Sequence, residues 1–209
     1  MPLPRYERLD VEKKRKLLEA AMKEFIAKGY EGASLNDILS AAELGKSSYY
    51  YYFADKEDLY ATVVEDMFAR LDSAAPQPKL DTLTATTFWP ALEAYAVAAT
   101  DSLVRAPEQV MLLVPLHGMW REPSPRLAPL AERTRSQYRI GIEVGRRLGC
   151  IRTDIDADVL IALAEAADWV IDQRFLRQWE ITPAKIKAHA TLAFDTFRRL
   201  VEPTPHARP

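Results

Sequence analysis

No stretch of this 209-residue chain alternates polar with β-branched residues; apolar side chains return instead at intervals of three and four. That is the period of an α-helix with one buried face, and it argues against a sheet-based fold before any motif is considered. Leu17, Leu18, Ala21, Met22, Phe25 and Ile26 make the first such face, over residues 12–28, and Gly29 is placed to end it in a left-handed conformation. With seven glycines in the whole chain, Gly-rich phosphate loops are largely excluded. The expected fold is all-α.

Residues 34–53 break the helical pattern into short pieces. Ser34 is placed to cap a second helix, with Asp37 three residues on to complete a capping box, and Leu35, Ile38, Leu39 and Ala42 face inward. A break at Glu43-Leu44-Gly45 precedes a third helix, Lys46 to Tyr52, closed by Phe53. Asp55 caps the fourth, over roughly 56–73, whose stripe is Leu59, Val63, Met67 and Leu71. Pro76 and Pro78 then mark a boundary. Beyond it the spacing predicts helices near 86–105, 107–120, 125–148, 157–179 and 183–201, with Asp156 and Thr182-Pro183 as caps. Pro90 and Pro115 should start or kink their elements. The expected organisation is a three-helix helix-turn-helix domain over 1–56, a connecting helix 57–73, a larger helical domain over 77–202 and a disordered tail over 203–209.

Bulk chemistry narrows the setting. A single cysteine, Cys150, rules out an internal disulfide and fits a reducing cytoplasm; no leader and no apolar run of about 18 residues is present, so no membrane is expected. Net charge is −2, and residues 1–60 carry one more acidic than basic side chain. If this half binds DNA, placement must do what total charge does not. Lys13-Lys14-Arg15-Lys16 lies in the first turn of the first helix, where cations oppose the helix dipole; it reads equally as a solvated face or a phosphate anchor.

The third helix is unusual. Burial accounts for Tyr49 and Phe53 on one face, but not for four tyrosines in succession. Tyr50 and Tyr51 must point elsewhere, with Lys46, Ser47 and Ser48 at the exposed N-terminal end. Phenols, serines and lysine are groups that contact phosphates and base edges.

The run Ala20-Ala21, Phe25, Gly29-Tyr30, Ser34, Ile38, Ala42, Leu44, Lys46, Tyr50-Tyr51-Tyr52-Phe53, Lys56-Glu57 and Leu59 resembles the N-terminal pattern of the tetracycline-repressor (TetR-like) family. The resemblance covers the first quarter of the chain; the remainder is similar in length and helix order only. It implies that Ser34 stands where a helix-capping Thr bonds a phosphate. Lys46, Ser47, Ser48 and Tyr51 stand where bases and adjoining backbone are read, Tyr50 and Tyr52 where phosphate is clamped, and Lys56 at the next phosphate contact. Two positions depart from the pattern. Glu43 replaces a turn glycine, at a cost of about 1 kcal/mol if φ is positive, and Tyr49 replaces a smaller aliphatic residue.

The second domain shows no catalytic signature and no metal spacing, so neither an enzyme nor a cofactor is expected. Trp89, Tyr95, Met111, His117, Trp120, Tyr138 and Trp169 read first as core and rim; the resemblance implies that some of them line a pocket for a small apolar or aromatic effector. His189 reads as a surface residue of its helix. Glu165, Asp168 and Asp172 read as a solvated strip, or as a face toward a cationic ligand or toward arginines across a dimer seam. The 157–179 helix is apolar nearly all round and needs cover on two sides. The resemblance implies that it and 183–201 pair with their copies in a homodimer, with Leu160, Ala164, Ile171 and Phe197 available to pack. The resulting expectation is a repressor released by its effector from a palindromic double-stranded DNA operator. The alternatives are a helical binding module that does not read DNA and, behind it, a small helical enzyme.

Overall fold

The computed structural model describes residues 4–110, 112, 123–177 and 180–203. Its long elements are α1 (Val11–Gly32), α2 (Leu35–Ala41), α3 (Lys46–Tyr52), α4 (Lys56–Ala74), α5 (Phe88–Arg105), α6 (Ala128–Arg147), α7 (Ala157–Leu176) and α8 (Pro183–Val201), with 3-10 turns at Pro4–Arg8, Leu80–Thr82 and Pro107–Gln109. The expected helix near 107–120 and the tail from 204 lie outside the described residues. Among the described residues no helix is long and apolar enough to cross a membrane.

Side-chain caps set the helix starts. Asp10 accepts from the N–H groups of Glu12 and Lys13 at 3.0 and 3.2 Å. Asp55 does the same for Asp58 at 3.0 Å, Asp156 for Asp158 at 2.8 Å and Thr182 for Lys185 at 3.3 Å. Each satisfies a first-turn donor that the helix itself leaves open. Ser34 takes the Asp37 N–H at 3.3 Å, but the box is not closed by Asp37. Glu24 of α1 takes the Ser34 N–H at 2.9 Å, while Asp37 pairs with Lys28. Gly29 has φ +69° and bends α1 there, and Glu43 holds φ 57° in the turn before α3.

Two cores organise the packing. The first joins α1–α4 around Leu17, Phe25, Ile38, Tyr49, Phe53 and Met67, then continues into Leu112, Leu127, Leu130 and Ala131. The start of α6 is therefore part of the headpiece core, although its sequence lies beyond the proline-marked linker. The second core holds Phe88, Trp89, Ile142, Ile151, Leu160 and Val201, from α5, α6, α7, α8 and the turn after α6.

Gly145 is the tightest point of that core. A Cβ built there would lie 2.5 and 2.7 Å from Ile151 side-chain carbons and 2.8 Å from Cζ of the buried Phe88 ring. Gly145→Val should cost about 2–3 kcal/mol through overpacking, read as a lower urea midpoint. An unchanged midpoint would mean that the core has slack at this crossing.

Candidate nucleic-acid interface and effector cavity

The outward surface of α3 follows from its inward one. Tyr49 is fully buried and its hydroxyl donates to the Asp55 carbonyl at 2.6 Å; its ring stacks on Phe53 at 5.4 Å. With that face fixed, Lys46, Ser47, Ser48, Tyr50 and Tyr51 are exposed on one side of a helix only 7 residues long. Tyr50 is 58% and Tyr51 47% exposed, a large cost in uncovered ring surface for a helix with no partner outside. Tyr52 is half-buried against the first core.

The arm before α1 was not foreseen in the sequence. Tyr6 is buried and meets Phe53 at 5.1 Å, which seats Pro4–Arg8 against α3. Arg5 then lies over the Tyr51 ring at 4.7 Å and presents its guanidinium beside the exposed tyrosine. The aromatic Tyr6 ahead of the Asp10 cap was the available signal.

Several cations counted as candidate anchors already have partners. Lys14 pairs with Glu7, Arg15 with Glu12 and Glu19, and Lys16 with Glu43 at 2.9 Å. The last pair places an ammonium on the carboxylate of the strained turn. Lys56 is placed differently from the phosphate-binding expectation: its Nζ donates to the Glu31 and Ala33 carbonyls at 3.1 and 3.3 Å and lies over the Tyr30 ring. It ties the end of α1 to the start of α4. Ser34 is half-buried as a cap.

A cavity of about 380 Å³ opens in the second half of the chain. Phe68 and Asp72 of α4 and Gln77, Pro78 and Leu80 of the linker form one wall. Phe88, Leu92 and Tyr95 of α5 form a second. Leu130, Arg133, Thr134, Tyr138 and Ile142 of α6 form a third, and Asp168, Phe194 and Phe197 of α7 and α8 close it. The Tyr138 hydroxyl donates to Asp168 at 3.4 Å, and Arg133 pairs with Asp72 at 2.8 Å. Burial, then the charges of Asp168 and Glu165, push the Tyr138 phenol well above its ordinary value.

Of the expected ligand residues, Tyr95, Tyr138 and Asp168 meet in this cavity. Trp89 belongs to the second core, with Arg198 over its ring at 5.1 Å, and Trp169 is half-buried and not part of the cavity wall. Met111, His117 and Trp120 lie outside the described residues. The acidic strip is not a solvated face: Glu165 pairs with Arg135 at 2.9 Å, Asp168 accepts from Tyr138, and buried Asp172 holds His189 at 2.8 Å. His189 is correspondingly not a free surface residue, and its ring meets Phe175 at 4.4 Å.

The residues expected at a dimer seam are placed inside the subunit. Leu160 and Ala164 are buried in this chain, and Phe197 lines the cavity; Ile171 is half-buried beside His189. The apolar stripe that α7 leaves outside is Val159, Ala162, Leu163, Ala166 and Val170, and Leu192 is exposed on α8.

One ionic cluster joins the two halves. Arg126, just before α6, pairs with Asp55 at 2.9 Å and with Asp58, and its Nε lies 3.9 Å from Glu57. Asp58 has no exposed surface and also accepts the Ala54 N–H at 2.9 Å. Neither partner's local sequence points to the other.

Residues 17–63, from the first helix to the middle of α4, match the model of the bacterial regulatory proteins, tetR family. The transcriptional repressor NicS of Pseudomonas putida is 32% identical over 142 residues, 66% of this chain and 66% of its own length. The chain belongs to the TetR family. Its fold agrees throughout: a putative tetR family regulator from Shewanella sp. PV-4 superposes with a TM-score of 0.67 at 14% identity, covering 92% of this chain and 99% of its own. SmeT in its complex with triclosan gives 0.66 at 15% identity, covering 94% and 95%. The alignment with NicS takes in just under two thirds of that repressor.

Proposed function

We propose that this TetR-family chain is a homodimeric transcriptional repressor that reads a palindromic DNA operator with α3 and releases it when a small molecule fills the cavity. The observation that carries the reading is the surface of α3. One short helix, positioned by the buried Tyr49 and Phe53, exposes Lys46, Ser47, Ser48, Tyr50 and Tyr51 together. A second helix of a helix-turn-helix is the element that enters the major groove, and these are groups able to reach phosphates and base edges. Arg5, held on Tyr51, adds a cation to the same surface. The likeness to NicS, a repressor, and to SmeT, which binds triclosan, supports both halves of the reading.

Two copies are needed because one short helix covers one half-site. The stripe Val159, Leu163 and Val170 with Leu192 is the face we assign to the partner copy, since α7 is buried on its opposite side by Leu160, Ile161 and Ala164. Switching runs through α6. Its first turn shares the headpiece core and its middle lines the cavity, so a ligand that shifts α6 shifts the separation of the two α3 helices.

The test is selection of duplexes from a random library by the full chain, followed by affinity at several salt concentrations. Lys46→Ala should weaken the selected duplex by about 1–3 kcal/mol with helical content and mass unchanged. Failure to enrich any duplex would overturn the repressor reading in favour of a binding module. Lys56→Met, by contrast, should lower the melting temperature, because it strips the Glu31 and Ala33 carbonyls of their donor. A stable variant with a smaller salt slope would restore Lys56 to the phosphate-contacting set.

A further inference from the structure

We propose that the cavity selects a compact organic cation, a protonated amine on an aromatic or alicyclic body, with its ammonium group on the Asp168 carboxylate. This rests on the reading of the cavity as the effector site and adds what that site prefers.

The walls are the first observation. Tyr95, Tyr138, Phe194 and Phe197 surround the space, and aromatic faces carry negative potential that attracts a desolvated cation. The second is the carboxylate itself. Asp168 lines this aromatic space and takes the Tyr138 hydroxyl at 3.4 Å, a long bond beside the usual range for two oxygens. A charged N–H donor forms a shorter and stronger bond to the same group. The third is the local charge. At this end Glu165 and Asp168 stand against Arg135, and at the mouth Arg133 is held by Asp72 at 2.8 Å. The rise in the Tyr138 phenol, caused by burial and then by Asp168 and Glu165, reports the same negative field. An anion would enter against that field after losing its water, and a neutral ring would gain nothing from it. The volume of about 380 Å³ lies toward the small end of ligand cavities, which fits one or two rings.

Three probes with one ring system separate these cases: 2-naphthylmethylamine, 2-naphthalenemethanol and 2-naphthoate, titrated calorimetrically into the full chain at neutral pH. The amine should bind about tenfold or more tightly than either of the others. Asp168→Asn should remove that preference while leaving the alcohol within about threefold of its original affinity. The ranking in the unmodified chain stands even if the variant fails to fold. Tighter binding of the naphthoate or the alcohol, an amine preference that survives Asp168→Asn, or no binding of any probe at millimolar concentration overturns the proposal. The same probes added to the DNA complex keep the two readings apart. A naphthoate that binds best and releases DNA would overturn the cation preference and keep the effector site. An amine held through Asp168 that leaves DNA affinity unchanged would keep the preference and overturn the effector site.

Discussion

Arg126→Met should lower the melting temperature by about 6–12 °C, the shift expected for a loss of about 3 kcal/mol in a chain of this size. The loss is large because the residue left behind is Asp58, which has no exposed surface and is held by Arg126 and the Ala54 N–H. Burial pushes its carboxyl up, but the Ala54 N–H and the guanidinium outweigh burial and hold it below the ordinary carboxylate value. A carboxyl depressed in the folded state contributes stability above its unfolded pKa and loses it as pH falls through the folded one. Without Arg126 the carboxyl rises, so the variant should begin to lose stability at higher pH than the parent. Arg126→Met combined with Asp58→Asn should recover part of the loss, since it removes both charges rather than stranding one. A single variant that melts with the parent at every pH would show that the cluster is solvent-balanced and holds nothing together.

The second large effect concerns the seam. Val170 is 60% and Leu163 42% exposed in the single subunit, and Leu192 is 48% exposed on the adjoining helix. Val170→Glu should cost about 3–5 kcal/mol of association if it buries an unpaired carboxylate, which is two to three decades in the dimer dissociation constant. A two-fold seam meets each substitution twice, so the effect is amplified by symmetry. Sedimentation velocity at micromolar concentration should show a folded monomer. Leu160→Ala, in the subunit's own core, should instead lower the melting temperature by a cavity penalty before it touches assembly. A clean dimer of Val170→Glu would move the seam off this stripe.

The headpiece was legible because its signals are local. Ser34 and Asp55 cap the helices expected of them, Gly29 and Glu43 take the positive φ that their positions imply, and the turn-to-helix spacing carries the family pattern. Lys56 was misjudged because its donors reach back more than 20 residues to carbonyls that no pattern marks. The seam was misjudged for a different reason. Residues 157–170 are apolar on both sides, so periodicity identifies two faces without saying which one the same chain covers. Leu160 and Ala164 fall on one, Val159 and Leu163 on the other, each one residue apart. The cavity was legible in part: Tyr95, Tyr138 and Asp168 were named, whereas Phe194 and Arg133 become neighbours only through the crossing of α6 and α8. The Arg126 cluster joins residues separated by 68 and 71 positions and left no trace in either neighbourhood.

The helix that carries both Arg126 at its threshold and Tyr138 at the cavity has the mechanics of a lever. From Ala128 to Tyr138 the axis runs about 15 Å at the rise of an α-helix. Pivoting by about 6° at Tyr138 swings the near end by about 1.6 Å, enough to stretch a contact of 2.9 Å to Asp55 past hydrogen-bonding range. A guest that parts the rings only slightly is thus amplified into an all-or-none release of the clasp beside α3. The clasp sets a threshold: guests too small to tilt α6 would occupy the cavity in silence.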